Sequence, residues 1–324
     1  MDDHVVFAHH LAGTDRGRPI DSDADIARAL RDDAPAWLHL SADHPDTTQW
    51  IDEHLSYLDP AIRAALIEPQ VRPRALKLGE GLLVILRGIN LNEGADPEDT
   101  ISLRLYADPS RIVSMSRRRL QSVDVLAESI AGGKGPETSG AFLAQLVELL
   151  TDRIEEQVSD LDARSEALEA AVIEAPLSHY GSETTDQRLE LADLRRVLPP
   201  QRDAVRDILR ANMAWVGDPQ RAILGEQLDQ LTRVVETLDA IRDQLATIRT
   251  EIDAARDERL NRNLYVLSMI SAVFLPLGFM TGLMGINLAG MPGAAWPPAF
   301  WVFCGLMAGL AIVVLAILRA FRLL

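Results

Sequence analysis

Residues 263–318 contain no Lys, Arg, Asp, Glu or His. An uncharged run of that length constrains the chain more than any other feature, because apolar stretches of about 18 residues or more belong in a bilayer. A short polar island divides it: Met284-Gly285-Ile286-Asn287-Leu288-Ala289-Gly290-Met291-Pro292-Gly293. The apolar segments on either side, 264–283 and 299–318, are each about twenty residues long. At about 1.5 Å per residue, each crosses a hydrocarbon core of about 30 Å as a helix. The expected element is a transmembrane helical hairpin that carries everything upstream as a soluble body.

Charge divides the chain in the same way. Of 32 basic and 48 acidic residues, only Arg319 and Arg322 lie beyond Arg262. Residues 1–262 therefore hold 30 basic against 48 acidic groups, a formal charge of −18. Such a body is expected to have no nucleic acid partner, which needs a basic footprint, and it is ill suited to anionic lipid surfaces. It suits cations, or, as is commoner, it serves only to keep a helical body soluble. The one cysteine, Cys304, lies within the second apolar segment, so neither a disulfide framework nor a cysteine zinc site is expected. The start, Met1-Asp2-Asp3-His4, is acidic with no apolar core behind it. No signal peptide is expected, and the body should stay in the cytoplasm.

Orientation agrees with that expectation. Arg256, Arg259 and Arg262 precede the first span, Arg319 and Arg322 follow the second, and the loop between has neither Lys nor Arg. The positive-inside rule then puts both termini in the cytoplasm and the polar island outside, with Trp296 and Trp301 near the outer lipid interface.

The body reads as α+β. Short branched-rich segments at 5–7, 36–40, 75–78, 81–90, 101–106 and 111–116 are expected strands, with a hairpin at Gly79-Glu80-Gly81. Helices are expected after Asp21-Ser22-Asp23, after Pro45-Asp46 and from Pro60. His4, His9, His10, His39, His44 and His54 invite a metal reading. No pair of them has ligand spacing on a helix face beside a carboxylate, so they are expected to be ordinary surface or core residues. Nothing resembles a nucleophile elbow or a paired-carboxylate site, and Gly132-Gly133-Lys134-Gly135-Pro136 lacks the end of a phosphate loop and reads as a linker. The protein is not expected to be an enzyme.

From Ser139 onward the pattern turns helical, ending first at Pro176 and then running from about 185 to 214, with a kink or restart expected at Pro199-Pro200. A third helix begins near Asp218-Pro219. Its seam is Leu224, Leu231, Leu238, Leu245 and Ile252, with a partner row at Val234, Ile241, Ile248 and Ala255. Sustained seven-residue spacing argues for packing against other helices. No Gly or Pro interrupts residues 226–275, so this stalk and the first span are expected to be one continuous helix. The expected organisation is an α/β domain over 1–137, a helical funnel and stalk over 138–262, and the transmembrane hairpin over 263–324.

At 100° per residue, Asn261, Leu264, Ser268, Ser271, Leu275, Gly278 and Gly282 share one broad face of the first span. That face is small and mildly polar, which suits either close helix packing or a water-filled lumen. One hairpin cannot enclose a lumen, so a pore requires several copies with the first span of each on the axis.

Phe274-Leu275-Pro276-Leu277, then Gly285-Ile286-Asn287, then Met291-Pro292-Gly293, followed by an apolar helix and a basic tail, resemble the CorA superfamily of divalent-cation transporters. The Gly-Ile-Asn form, with Leu198-Pro199-Pro200-Gln201-Arg202 upstream, is similar to its ZntB zinc-transporter branch. The resemblance implies a homopentamer of the inner (plasma) membrane, with a cytoplasmic funnel and the first span lining a central pore. It implies transport of zinc, and with it cadmium, nickel and cobalt, coupled to protons; zinc is then cargo, and no resident cofactor is expected. Gly285, Ile286 and Asn287 would form the outer mouth. Asn261, Leu264, Leu267, Leu275 and Gly278 match pore-lining positions, which the wheel extends to Ser268 and Ser271. Two departures stand out: the family commonly has Thr where this chain has Gly278, and an acidic residue often follows Met-Pro where this chain has Gly293.

The residue types limit what such a mouth can do. Asn287 amide oxygens can accept hydrogen bonds from the water shell of a cation, and helix C-termini converge on the same place with their partial negative charge. No acid or histidine in the run can bind zinc directly, so the ion is expected to pass largely hydrated, with loose selectivity. A proton would travel on pore water or be coupled through funnel acids, for which Glu251, Asp253, Asp257 and Glu258 are candidates, although such acids more often form a solvated helix face. A magnesium or cobalt channel on the same fold, and a membrane-anchored scaffold without transport, are the competing readings.

Overall fold

The computed structural model of the chain describes residues 4–68, 72–95, 99–178, 180–286, 293 and 296–320. These divide into two compact units, Met1–Arg249 and Thr250–Leu324.

The first unit opens with β1 (Val5–His10), α1 (Asp23–Ala29), β2 (Ala36–Ser41), α2 (Thr47–His54) and α3 (Pro60–Ile67). Next come β3 (Arg74–Leu78), β4 (Gly81–Ile89), β5 (Thr100–Ala107), β6 (Arg111–Ser116) and α4 (Gln121–Ala131). The strands form one sheet in the order β1-β2-β6-β5-β4-β3, with only β2 and β6 parallel. All six expected strands are present. The expected helices begin where predicted: Ser22 caps α1 by accepting from the Asp25 amide at 3.1 Å, Asp46 precedes α2 without a side-chain cap, and Pro60 takes the first turn of α3 behind Asp59, which accepts from the Ala61 amide at 2.7 Å. Gly79 makes the β3–β4 turn at φ +62°, a conformation that favours glycine.

Strand alternation gives the sheet two buried faces. Leu38, Leu40, Leu83, Tyr106, Val113 and Met115 pack with Ile26, Leu30, Trp50, Ile51, Leu55, Ile62 and Leu66 of α1–α3 and their loops. On the other face, Trp37 meets Phe142 of α5 (Ser139–Glu174) edge-on at 4.7 Å. Gly88 is required beneath that helical layer, since a Cβ there would lie 2.6 Å from Leu120 and 2.8 Å from Leu150.

His39 belongs to this second face, with its ring nitrogens 2.8 Å from Ser114 Oγ and 3.2 Å from Ser116 Oγ. Burial pushes its pKa down from 6.5 to about 3, so the folded protein holds it neutral. The unfolded chain binds the extra proton between those values, so His39 costs no stability above pH 6.5 and destabilises progressively as pH falls towards 3. The slope is about 1.4 kcal/mol per pH unit. Chemical denaturation followed by tryptophan fluorescence should show this acid-side loss in the wild type, and His39→Gln should remove that part of it.

Helices α5, α6 (Gly181–Ala211) and the first part of α7 (Asp218–Met284) pack by the expected seam. Within this unit Leu224, Leu231, Leu238, Leu245, Val234, Ile241 and Ile248 are all buried. Polar clasps fix the register: Gln230 Nε2 donates to Glu155 at 2.5 Å, Gln244 Nε2 to Glu169 at 2.7 Å, and Arg195 pairs with Asp239 at 2.8 Å.

Of the kink or restart expected at Pro199-Pro200, the restart does not occur, because α6 runs as one helix through both prolines. Leu194, Leu198, Val205 and Ile208 are buried on both sides of them, so one packed face carries the helix across the lost backbone bonds. Gln201 adds an anchor. It accepts from the Arg87 amide at 2.6 Å and donates to the Arg87 carbonyl at 2.8 Å. β3 begins at Arg74, opposite Ile85, so the Gln201 amide occupies the ladder position that β3 leaves open on β4. Gln201→Leu should therefore strand two backbone groups and lower stability by about 1–3 kcal/mol, read as a lower unfolding midpoint.

Candidate ion pathway

In the second unit the candidate pathway lies on the membrane part of α7. As expected, stalk and first span are one helix, ending at Met284. The second span is α8 (Ala299–Ala320). Their apolar windows have mean hydropathy of 1.9 and 2.7 and none of either is buried, which separates them from core helices of a soluble domain.

Each helix has one partly covered face. On α7 it comprises Met269, Val273, Pro276, Leu277 and Met280; on α8 it comprises Phe303, Met307, Leu310, Ala311, Val314 and Leu318. Both sets repeat at three-or-four spacing, and α8 is the only other described helix of this unit, so the two helices turn these faces to each other. The candidate lumen face is a different one. Asn261, Leu264, Leu267, Ser268, Ser271, Leu275, Gly278 and Gly282 are all exposed, Leu275 at 78%. Packing within the hairpin therefore does not account for these small residues.

That face is uncharged. Its Ser271, Leu275 and Gly278 border an open hollow of about 700 Å³, together with Ile270, Phe274, Pro276 and Phe279 from other sides of the helix. Ser271 donates to the Leu267 carbonyl at 2.8 Å, and Thr281 donates to the Gly278 carbonyl at 3.0 Å. The Gly278 carbonyl is thus already engaged, and its missing side chain leaves open space, with nothing within 4 Å of an added Cβ.

The signature begins where α7 ends: the Gly285 amide bonds the Thr281 and Gly282 carbonyls at 3.0 and 3.1 Å. Ile286 is exposed at 46%. Asn287, the residue expected to meet the hydrated ion, lies outside the described residues, as do Met291 and Pro292. Glu251, Asp253, Asp257 and Glu258 are exposed, and Asp253 pairs with Arg256 at 4.0 Å. Among the described residues no three or more His, Cys, Asp or Glu side chains gather to hold a metal ion. A single chain therefore presents a polar strip and a helix end, and any ring of ligands needs further copies.

The profile of CorA-like Mg2+ transporter proteins matches residues 32–319. The chain belongs to this family. Membership makes it a membrane transporter of divalent cations and not an enzyme. It is 36% identical over 312 residues to the divalent cation transporter CmaX of Pseudomonas aeruginosa, spanning 95% of this chain and 93% of that one. It is likewise 36% identical over 300 residues to the zinc transport protein ZntB of Pectobacterium atrosepticum, spanning 93% and 90%. The solved full-length CmaX structure superposes with a TM-score of 0.85 at 34% identity, covering 99% of both chains. The CorA fold, with its α/β domain, long helix and apolar C-terminal helix, is thus common to the two.

Proposed function

We propose that this CorA-family protein moves zinc, and with lower discrimination cadmium, nickel and cobalt, through a central pore built by copies of α7. The observation that carries the proposal is the exposed strip from Asn261 to Gly282, set apart from the covered face of the same helix. Small, weakly polar residues without charge suit an ion that keeps much of its water shell. In the proposed homopentamer, a ring of Asn287 amides, one per subunit, receives the hydrated ion at the outer end of the first spans. Helix C-termini add a negative field there. Similarity to a named zinc transport protein over most of the chain supports zinc as the cargo.

The remaining finer points belong to the same proposal. Arg256, Arg259 and Arg262 before the first span, with Arg319 after the second, orient both termini to the cytoplasm of an inner (plasma) membrane. Trp296 and Trp301 are exposed at 54% and 75%, as anchors at an outer lipid interface need to be. Proton coupling during uptake runs over pore water, with Glu251, Asp253, Asp257 and Glu258 as acceptors at the inner end. A magnesium or cobalt channel is the second reading, favoured by the description of the matched family. Parallel flux measurements with zinc and magnesium in proteoliposomes separate the two.

Gly278 offers a direct check of the lumen face. Gly278→Thr meets no atom within the chain and replaces a helix-weakening residue. It is expected to leave assembly intact on size-exclusion chromatography and to add a hydroxyl group at one level of the pore, altering the ratio of zinc to cadmium flux. Loss of assembly would mean that neighbouring helices pack tightly over this position.

A further inference from the structure

The α/β domain contains a basic cavity that the transport reading does not use. Leu83, Ile85 and Arg87 alternate onto the β4 face that meets α1–α3, and Ser102, Arg104 and Tyr106 onto the same face of β5. This apolar face therefore ends in arginines. The pairings Ile85↔Arg104 and Arg87↔Ser102 set Arg87 and Arg104 on a diagonal of neighbouring strands, where Cβ atoms are about 7–8 Å apart or less. Around them Arg72, Arg117, Arg118, Asn90 and Asp99 help to enclose about 570 Å³.

Among the described residues, five arginines and one carboxylate line this cavity, in a chain whose net charge is −16. Arg104 is only 1% exposed. Its guanidinium is held below the usual range by burial and then by Arg117 and Arg87, and Arg87 is lowered by burial and then by Arg196. Among their contacts, Arg87 Nη1 donates to the Thr100 carbonyl at 3.2 Å, and Arg104 Nη1 lies 3.8 Å from Met115 Sδ. Arg117 pairs with Asp43 at 3.3 Å and Arg118 with Asp99 at 3.4 Å. Clustered, partly desolvated guanidinium groups repel one another, and an anion in their midst reverses that cost. Their planar forks match phosphoryl oxygens. No aromatic ring among the described residues lines the cavity, so none of them stacks a base, and its volume exceeds the need of a single phosphate while falling in the ordinary ligand range.

We propose that this cavity binds a compact polyphosphate anion, one carrying two or more linked phosphoryl groups, gripped by Arg87, Arg104, Arg117 and Arg118. Asp99 opposes the ligand by repulsion. This binding is independent of the transported ion, so its failure leaves the proposed function untouched.

The test is calorimetric titration of the full-length chain in detergent, in metal-free buffer, with pyrophosphate, tripolyphosphate, ATP and inorganic phosphate as probes. Saturable binding of pyrophosphate is expected, with inorganic phosphate about tenfold weaker or more. Similar affinity for ATP and tripolyphosphate would mark the free nucleotide as one source of the shared chemistry; weaker ATP binding would mark inorganic polyphosphate. Arg117 and Arg118 are 45% and 64% exposed, so R117A/R118A should fold, and is expected to weaken pyrophosphate about tenfold or more. D99N is expected to strengthen it several-fold. Opposite responses from the two variants are not what a structural role produces. No pyrophosphate binding by the wild type, binding unchanged in both variants, or equal affinity for phosphate and pyrophosphate would each overturn the proposal.

Discussion

Asn287→Ala is expected to cut zinc flux through the reconstituted transporter by about tenfold or more, while assembly and membrane insertion stay unchanged. Each amide at the mouth would accept hydrogen bonds from the ion's water shell, and a net bond is worth about 0.5–1.5 kcal/mol. Every subunit loses its bond at once, so even the low end summed around a ring reaches a tenfold effect, which takes about 1.4 kcal/mol. Alanine removes the amide and keeps the backbone, and Asn287→Gln restores an amide oxygen one methylene further out. Partial recovery in the glutamine variant would tie the loss to that oxygen. Flux in Asn287→Ala equal to the wild type would remove Asn287 from the mechanism.

Ser271→Lys is expected to abolish flux of every divalent cation. Ser271 is exposed on the strip shared with Leu264, Ser268, Leu275 and Gly278, away from the face turned to α8. In the proposed pore the substitution sets one ammonium per subunit at a single level of a narrow, low-dielectric passage, where repulsion of a divalent ion far exceeds its value in water. The control is Val273→Lys, placed on the partly covered face of α7. It should damage folding or insertion, because it forces a charge against α8 or lipid. Chromatography on detergent-extracted protein reads assembly, and liposome flux reads conduction. An assembled Ser271→Lys protein that still conducts would show that this strip does not line the path.

Much of this was legible in the sequence, and the reasons are local. The strands follow branched residues in alternation, and the α7 seam follows a seven-residue repeat whose Leu231, Leu238 and Leu245 are buried as expected. The prolines of α6 allowed a restart that does not occur, because their local penalty is outweighed by burial of Leu194, Leu198, Val205 and Ile208 around them. α4 was not foreseen; its apolar positions Val123, Leu126, Ala127 and Ile130 sit in a short stretch before the glycine-rich linker. Gln201 could be read only as part of a family motif, since the Arg87 backbone it clasps is 114 residues away. The basic cavity was invisible for the same reason. Arg87, Arg104 and Arg117 are scattered in sequence within an acidic body, and only strand register brings them together.

On the strip of α7 itself, the residue types alone favour close packing over a lumen. The partly covered face found at Met269, Val273, Pro276 and Met280 removes the packing partner within the hairpin from that choice, and leaves the strip for contact with water, lipid or other copies.

Passage of zinc through this protein is tested most directly by uptake of radioactive zinc into proteoliposomes, with and without an acidic exterior. Saturable zinc entry is expected, rising when the outside is acidic, with magnesium competing weakly. No zinc entry above protein-free liposomes, or entry of magnesium with zinc excluded, would contradict it.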